Sequence, residues 1–95
     1  MVEDHVSKTL KPFDFNQINK ELPELRKIKC HIDAVSFKNP IDSSNVSPVI
    51  WEKIGDYINS KYNDYDGFVV LHGTDTMSYT ASALSFMFQH LNKPI

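Results

Sequence analysis

The feature that most constrains the fold is a short apolar run that leads through a glycine-containing turn into an apolar helix pattern. Residues 67–72 (GFVVLH) contain a continuous, partly β-branched run, which is typical of a strand buried on both faces of a parallel sheet. The turn 72–76 (HGTDT) follows directly, and the apolar pattern beyond it predicts a helix over 76–91. A buried strand joined to a helix in this way indicates an α/β layered fold.

The upstream sequence adds three predicted elements to this unit. Residues 1–15 are polar and unpatterned, so we expect a loop there. Apolar and polar residues alternate over 27–37, which predicts a half-buried strand with Cys30 on its buried side. A serine followed by proline then begins a predicted helix over 47–62, whose apolar residues recur at helical spacing. All 95 residues fit within one small domain.

Charge and hydropathy exclude several classes of partner. The net charge of −2 and the scattered basic residues give no electrostatic reason to expect nucleic acid or an anionic membrane. No apolar run reaches the roughly 18 residues of a membrane span. Cys30 is the only cysteine, so an internal disulfide is impossible and a reducing, cytoplasmic location is expected.

The turn 72–76 is the strongest candidate site. In open α/β sheets, ligands bind beyond the carboxyl ends of strands, and the following helix presents unpaired amides there. The two hydroxyls of Thr74 and Thr76 and the Asp75 carboxylate could orient a water, a nucleophile or a substrate ammonium group. The alternative is structural: Asp75 or Thr76 would cap the helix, and His72 would be a hydrogen-bonded structural histidine.

A second candidate loop is Asp42-Ser43-Ser44, which follows the first predicted strand and precedes a helix. By itself it is an ordinary turn sequence. If the two strands are parallel, however, both loops open on one rim of the sheet. Carboxylates for an ammonium group and hydroxyls for a carboxylate would together suit an amino-acid ligand.

These residues resemble a known family. Segments 66–77 (DGFVVLHGTDTM) and 78–87 (SYTASALSFM) closely resemble the second signature of bacterial L-asparaginases, and 41–45 (IDSSN) resembles the substrate loop of the cytoplasmic type. The resemblance covers about residues 27–95. It implies a three-layer α/β/α domain with a partial Rossmann-like sheet, and hydrolysis of L-asparagine to L-aspartate and ammonia through a threonine acyl-enzyme. We expect no cofactor and no metal ion.

The resemblance also implies roles for individual residues. Thr74 matches the second catalytic threonine, which positions or activates the attacking group, and Asp75 matches the carboxylate that holds the substrate ammonium. The residues that match the loop around the substrate α-carboxylate and α-amino groups are Asp42, Ser43 and Ser44. The residues that match positions shaping the turn are His72, Gly73 and Thr76.

Two parts of the family pattern are not found in this sequence: the Thr-Gly-Gly-Thr-Ile signature with the primary nucleophile, and the lysine partner of Thr74 and Asp75. We therefore expect a fragment of the enzyme that is inactive alone. The apolar 76–91 helix and the two-sided 67–72 strand further predict that it associates with copies of itself. The alternatives are a stand-alone amino-acid-binding module and the amide-cleaving subunit of a transfer-RNA amidotransferase. A nucleotide-binding half-domain ranks low, because neither a Gly-x-Gly-x-x-Gly sequence nor a Walker loop is present.

Overall fold

A computed structural model describes residues 2–3, 10–11 and 22–95. The chain divides into two compact units, Met1–Ile41 and Asp42–Ile95. The first unit contains two short strands, β1 (Val2–Glu3) and β2 (Leu10–Lys11), and a 3-10 helix (Pro23–Lys27). The second contains a 3-10 turn (Ser43–Asn45) and two α-helices, α1 (Pro48–Lys61) and α2 (Met77–Met87).

In the first unit, β1 and β2 pair as antiparallel strands, with Val2 opposite Lys11 and Glu3 opposite Leu10. The loop prediction for residues 1–15 is therefore wrong at these four positions, and its other positions lie outside the described residues. The two strands could not be predicted from the sequence because each is only two residues long, which is too short to show an alternating pattern.

The predicted strand over 27–37 is not formed. Lys27 ends the 3-10 helix, and residues 28–37 contain bends and irregular backbone. Cys30 is exposed, contrary to its predicted burial, and Ile28 and Ile32 are 53% and 45% exposed. An alternating pattern supplies an apolar face, but a strand also needs a partner for its ladder of hydrogen bonds. Among the described residues, the backbone bonds of 28–30 are local, from Ile28 to Leu25 and from Cys30 to Ile28.

Helix α1 lies within the predicted range 47–62. Ser47 occupies the N-cap position with Pro48 in the first turn, although the Ser47 hydroxyl makes no capping hydrogen bond. The apolar stripe faces the second helix, and Ile58 is only 3% exposed. Gly55 leaves room for the Met87 methyl group of α2, which would lie 2.6 Å from a Cβ atom at position 55. The two helices can therefore approach closely at this position.

Helix α2 ends four residues before the predicted limit at residue 91. The chain leaves helical geometry at Phe88 and passes through a positive φ of 58° at His90. It then returns to α1, where the Asn92 backbone N–H donates to the Tyr62 hydroxyl at 2.9 Å and Lys93 Nζ donates to the Tyr62 carbonyl at 2.5 Å. These tertiary contacts end the helix before Leu91, although the spacing of Leu91 fits the apolar pattern of the helix.

Residues 67–72, predicted as a strand, carry no strand pairing with any described residue. The Phe68 N–H donates to the Pro94 carbonyl at 3.0 Å, and the Phe68 ring stacks on Tyr62. Val69 is 87% exposed and Leu71 is 60% exposed, so the run is not buried on both faces. The parallel sheet and the three-layer arrangement remain predictions.

Neither α-helix in the described part of the chain is long and apolar enough to cross a membrane.

Candidate functional site

The two predicted loops meet in the structure. The Thr76 hydroxyl donates to the Ser43 carbonyl at 2.6 Å, across 33 residues of sequence. Ser43 is 9% exposed, and a Cβ atom added at Gly73 would lie 2.5 Å from its Oγ and 2.8 Å from its Cβ. These distances are too short for non-bonded atoms, so the loop approaches this closely only because position 73 lacks a side chain.

The loop itself is ordered by Asp42. This residue is the N-cap of the 3-10 turn, and its Oδ1 atom accepts from both the Ser44 N–H and the Ser44 hydroxyl, each at 3.0 Å. The backbone hydrogen bond first, and then the hydroxyl, hold the pKa of the Asp42 carboxyl below its usual value. Because both donors use Oδ1, Oδ2 has no hydrogen-bond partner among the described residues and is available to a ligand.

Thr74 and Asp75 differ from their neighbours in the turn. Both are exposed, and neither side chain has a hydrogen-bond or ion-pair partner within residues 22–95. The alternative prediction that Asp75 or Thr76 caps α2 is confirmed for the position of Thr76 but not for a capping hydrogen bond. Thr76 occupies the N-cap position, but the cap has no side-chain hydrogen bond, and its hydroxyl is used on Ser43. The Asp75 carboxylate thus stands free beside the positive end of the α2 dipole.

His72 is held on both ring nitrogens. Its Nδ1 lies 2.6 Å from the Gly73 carbonyl, and its Nε2 lies 2.8 Å from the Thr80 hydroxyl. That hydroxyl also accepts from Trp51 Nε1 at 2.9 Å. This arrangement supports the interpretation of His72 as a hydrogen-bonded structural residue.

The sequence prediction of the site missed Thr80 and Trp51. Trp51 was assigned to the apolar stripe of the first predicted helix, where its indole N–H carried no separate signal. Thr80 gave only a weak signal, a hydroxyl on an otherwise apolar stretch of helix. Its near-complete burial, at 3% exposure, is visible only in the folded chain.

An open groove of about 360 Å³ lies next to His72 and α2. Its lining is mainly apolar and includes Phe68, Val70, Met77 and Leu84. A polar amino-acid ligand fits such a surface poorly, so the rim formed by loop 42–45 and turn 72–76 is the better candidate site. Among the described residues, no group of three His, Cys, Asp or Glu side chains is placed to hold a metal ion.

The entire chain, residues 1–95, matches the protein family described as "Asparaginase, N-terminal". The protein belongs to this family, a conclusion that agrees with the resemblance of its turn and loop sequences.

Individual similar proteins include L-asparaginases and an amidotransferase subunit. L-asparaginase 1 of Escherichia coli (strain K12) is 60% identical over 55 residues, which are 58% of this chain and 16% of that protein. A glutamyl-tRNA(Gln) amidotransferase subunit of Thermococcus kodakarensis is 40% identical over 84 residues, 87% of this chain and 19% of that protein. The crystal structure of L-asparaginase I from Vibrio cholerae superposes with a TM-score of 0.76 at 44% identity, covering 93% of this chain and 26% of that one. The chain therefore spans about a quarter or less of the length of these relatives.

Proposed function

We propose that this chain is part of an L-asparaginase, which hydrolyses L-asparagine to L-aspartate and ammonia. The observation that carries the proposal is the junction of Ser43 with Gly73 and Thr76. Thr74 and Asp75 lie between these two contacts, so the two exposed, unbonded groups belong to a turn packed against the Asp42-Ser43-Ser44 loop. Membership of the asparaginase family and the likeness to two L-asparaginases support the same function.

The polar groups of this rim suit an amino acid. The free Asp75 carboxylate is the acceptor for the substrate ammonium group, in a charge-assisted hydrogen bond. Asp42 Oδ2 is a second acceptor on the same rim. The Ser43 hydroxyl, next to Gly73, is a donor for the substrate α-carboxylate. Ser44 contributes indirectly, because its hydroxyl is bonded to Asp42 and keeps the loop ordered.

The proposed reaction proceeds through a threonine ester. A threonine hydroxyl attacks the side-chain amide carbon, the C–N bond breaks, and the amine leaves as ammonia with the proton of the attacking group. Water then cleaves the ester to give L-aspartate and restores the threonine. Thr74 positions or activates the attacking group in this scheme. The primary nucleophile lies outside these 95 residues, since they contain no Thr-Gly-Gly-Thr-Ile sequence.

The test compares the 95-residue chain with the protein encoded by the complete open reading frame. Ammonia release from L-asparagine is expected for the complete protein and not for the 95-residue chain. Turnover by the 95-residue chain that Thr74→Ala abolishes would contradict the fragment proposal. A complete protein that binds L-asparagine without releasing ammonia would favour the stand-alone binding module.

A second candidate is the amide-cleaving subunit of a transfer-RNA amidotransferase. The observation that favours it is the 40% identity over 84 residues to the glutamyl-tRNA(Gln) amidotransferase subunit of Thermococcus kodakarensis. Ammonia release that depends on glutamyl-tRNA(Gln) and a partner protein, with little turnover of free L-asparagine, would support this candidate over the first.

We further propose that the protein is a homo-oligomer and that the 95-residue chain associates with itself. The support is exposed apolar surface: Val69 is 87% exposed, Phe86 80% and Leu71 60%. Sedimentation of the 95-residue chain over a concentration series tests this. A compact monomer with cooperative unfolding at every concentration would contradict it.

We also propose a cytoplasmic location. The single cysteine and the Asp42-Ser43-Ser44 loop, which resembles the cytoplasmic type, support it. Cell fractionation of the producing organism provides the test, and recovery from an extracytoplasmic fraction would contradict it.

A further inference from the structure

Three side chains from different parts of the second unit are linked in one series that ends on the candidate site. Trp51 of α1 reaches Thr80 of α2 at 2.9 Å, and Thr80 reaches His72 at 2.8 Å. His72 then contacts the carbonyl of Gly73 at 2.6 Å. We call this series the Trp51–Thr80–His72 network.

The chemistry of its two ends fixes the direction of the two outer hydrogen bonds in the network. An indole N–H can only donate and a carbonyl can only accept. Trp51 therefore donates to the Thr80 hydroxyl, and His72 donates from Nδ1 to the Gly73 carbonyl. In the neutral imidazole, Nε2 then accepts the one proton of the Thr80 hydroxyl, which is the arrangement of the Nδ1–H tautomer. Of the two neutral tautomers, only Nδ1–H makes all three hydrogen bonds, since Nε2–H would leave Nδ1 facing the Gly73 carbonyl without a proton.

The network connects the packed helices to the catalytic turn. Thr80 is 3% exposed, so its two hydrogen bonds are shielded from water, while Trp51 and His72 are half-buried. The Gly73 carbonyl and the Thr74 N–H belong to one planar peptide unit. Fixing the direction of that carbonyl therefore fixes the orientation of the Gly73–Thr74 peptide plane, and with it the position of the Thr74 N–H and Cα.

We propose that His72, Thr80 and Trp51 are positioning residues, which hold the Gly73–Thr74 peptide so that Thr74 and Asp75 keep their geometry for the reaction. This inference rests on the proposed amide hydrolysis at the same turn. The three side chains touch neither substrate nor reacting atoms. They act through one carbonyl, and their loss disturbs the rate of the chemical step more than the binding of substrate.

The kinetic test uses the complete protein and compares Thr80→Val with Thr80→Ser. Valine keeps the shape of threonine but removes the hydroxyl, so kcat is expected to fall about 10- to 100-fold while KM changes less than about threefold. Serine keeps the hydroxyl and is expected to restore most of kcat. Ser82→Ala is the matched control, because among the described residues the Ser82 hydroxyl of the same helix bonds only to the Ser78 carbonyl. A folded Thr80→Val protein with wild-type kcat would overturn the inference.

A substitution at Trp51, the other end of the network, keeps the inference testable if Thr80→Val does not fold. Trp51→Phe removes the indole N–H, together with the pyrrole part of the ring, and leaves the Thr80 and His72 side chains themselves unchanged. A smaller loss of kcat than in Thr80→Val is expected, about two- to fivefold, since the bond nearest to the turn is retained. A larger loss in Trp51→Phe than in a folded Thr80→Val would contradict the proposed order of the network.

A spectroscopic measurement separates this inference from the proposed function. Nitrogen NMR of histidine-labelled protein, with His72→Gln to assign the signal, reports the tautomer directly. The Nδ1–H form is expected, and the Nε2–H form would overturn the network even if the enzyme is active. If the complete wild-type protein releases no ammonia from L-asparagine, the proposed function fails and the tautomer alone decides the network. If it is active and the variants match it, the positioning role alone fails.

Discussion

Neighbouring residues of the same turn have opposite environments. Gly73 and Thr76 both contact Ser43. Gly73 packs closely against it because it has no side chain, and the Thr76 hydroxyl donates a 2.6 Å hydrogen bond to the Ser43 carbonyl. Thr74 and Asp75, between them, are exposed and have no side-chain partner within residues 22–95. The turn thus separates the residues that hold its shape from those left available to a ligand. Substitutions in the first pair are expected to reduce stability and substitutions in the second to reduce activity.

The largest expected effect is at Thr74. In the complete protein, Thr74→Val removes the hydroxyl from the proposed proton-transfer machinery, and kcat should fall by roughly 10²- to 10⁴-fold. The melting temperature should stay near that of the wild type, because the hydroxyl has no partner among the described residues to lose. Steady-state ammonia release and thermal unfolding measure the two quantities. Thr74→Ser is the control that keeps the hydroxyl, and an equal loss in both variants would argue against a chemical role.

Asp75→Asn should have the next largest effect. It removes the charge from a charge-assisted contact worth about 1.5–3 kcal/mol, so kcat/KM for L-asparagine should fall roughly 10- to 150-fold. Asp64→Asn, another exposed carboxylate in a turn, is the matched control. Near-normal kinetics combined with a lower melting temperature would assign Asp75 a structural role instead.

Gly73→Ala tests the residues that hold the shape of the turn, in contrast to the exposed Thr74 and Asp75. The new methyl group would overlap the Ser43 side chain, whose Cβ cannot rotate away, so the loop must move. The free energy of unfolding should fall by about 1–3 kcal/mol, with a rise in KM as the loop is displaced. Gly67→Ala is the control, since its methyl group would come no closer to another residue than 3.1 Å, to Pro94 Cγ. Urea denaturation that ranks Gly67→Ala as the more damaging change would contradict this account of the junction.

The smallest expected effect concerns the Asp42 carboxyl. Its pKa is lowered in the folded chain, so its contribution to stability is present above the unfolded pKa of about 4 and is lost as the pH falls through the lower folded value. Ser44→Ala removes the hydroxyl bond but keeps the larger backbone one, so the pKa should return only part of the way to its usual value. Carbon NMR titration of the carboxyl measures this, with Ser60→Ala as a control whose hydroxyl bonds to a carbonyl. An unchanged Asp42 titration in Ser44→Ala would contradict the role of the hydroxyl.

Local signals in the sequence predicted the helices better than the strands. A serine and a proline at 47–48 predicted where α1 begins, because capping depends on adjacent residues. The strand predictions at 27–37 and 67–72 depended on partners elsewhere in a sheet, which a local alternation of side chains does not specify. The end of α2 was missed for a similar reason, since contacts of Asn92 and Lys93 with Tyr62 draw the chain away from the helix.

In the candidate site, too, local sequence signals were predictable and contacts between distant residues were not. The predicted strand-to-helix position pointed to turn 72–76 as a whole and to loop 42–44 on the same rim, while the family resemblance assigned roles to Thr74 and Asp75, which stay predictions. The Thr80 hydroxyl could not be found by this reasoning, because its partners Trp51 and His72 lie 29 and 8 residues away. The use of Thr76 on Ser43 rather than as a cap also depends on a contact across 33 residues.

The hydrogen bonds of Asn92 and Lys93 to Tyr62 restrict the conformations that turn 72–76 can adopt. They join positions 30 and 31 residues apart, and the turn and α2 both lie inside the loop they close. A loop with joined ends samples fewer conformations than one with a free end. Part of the entropy cost of ordering turn 72–76 is therefore offset by contacts at the C-terminal end of α1, 10 or more residues away along the chain.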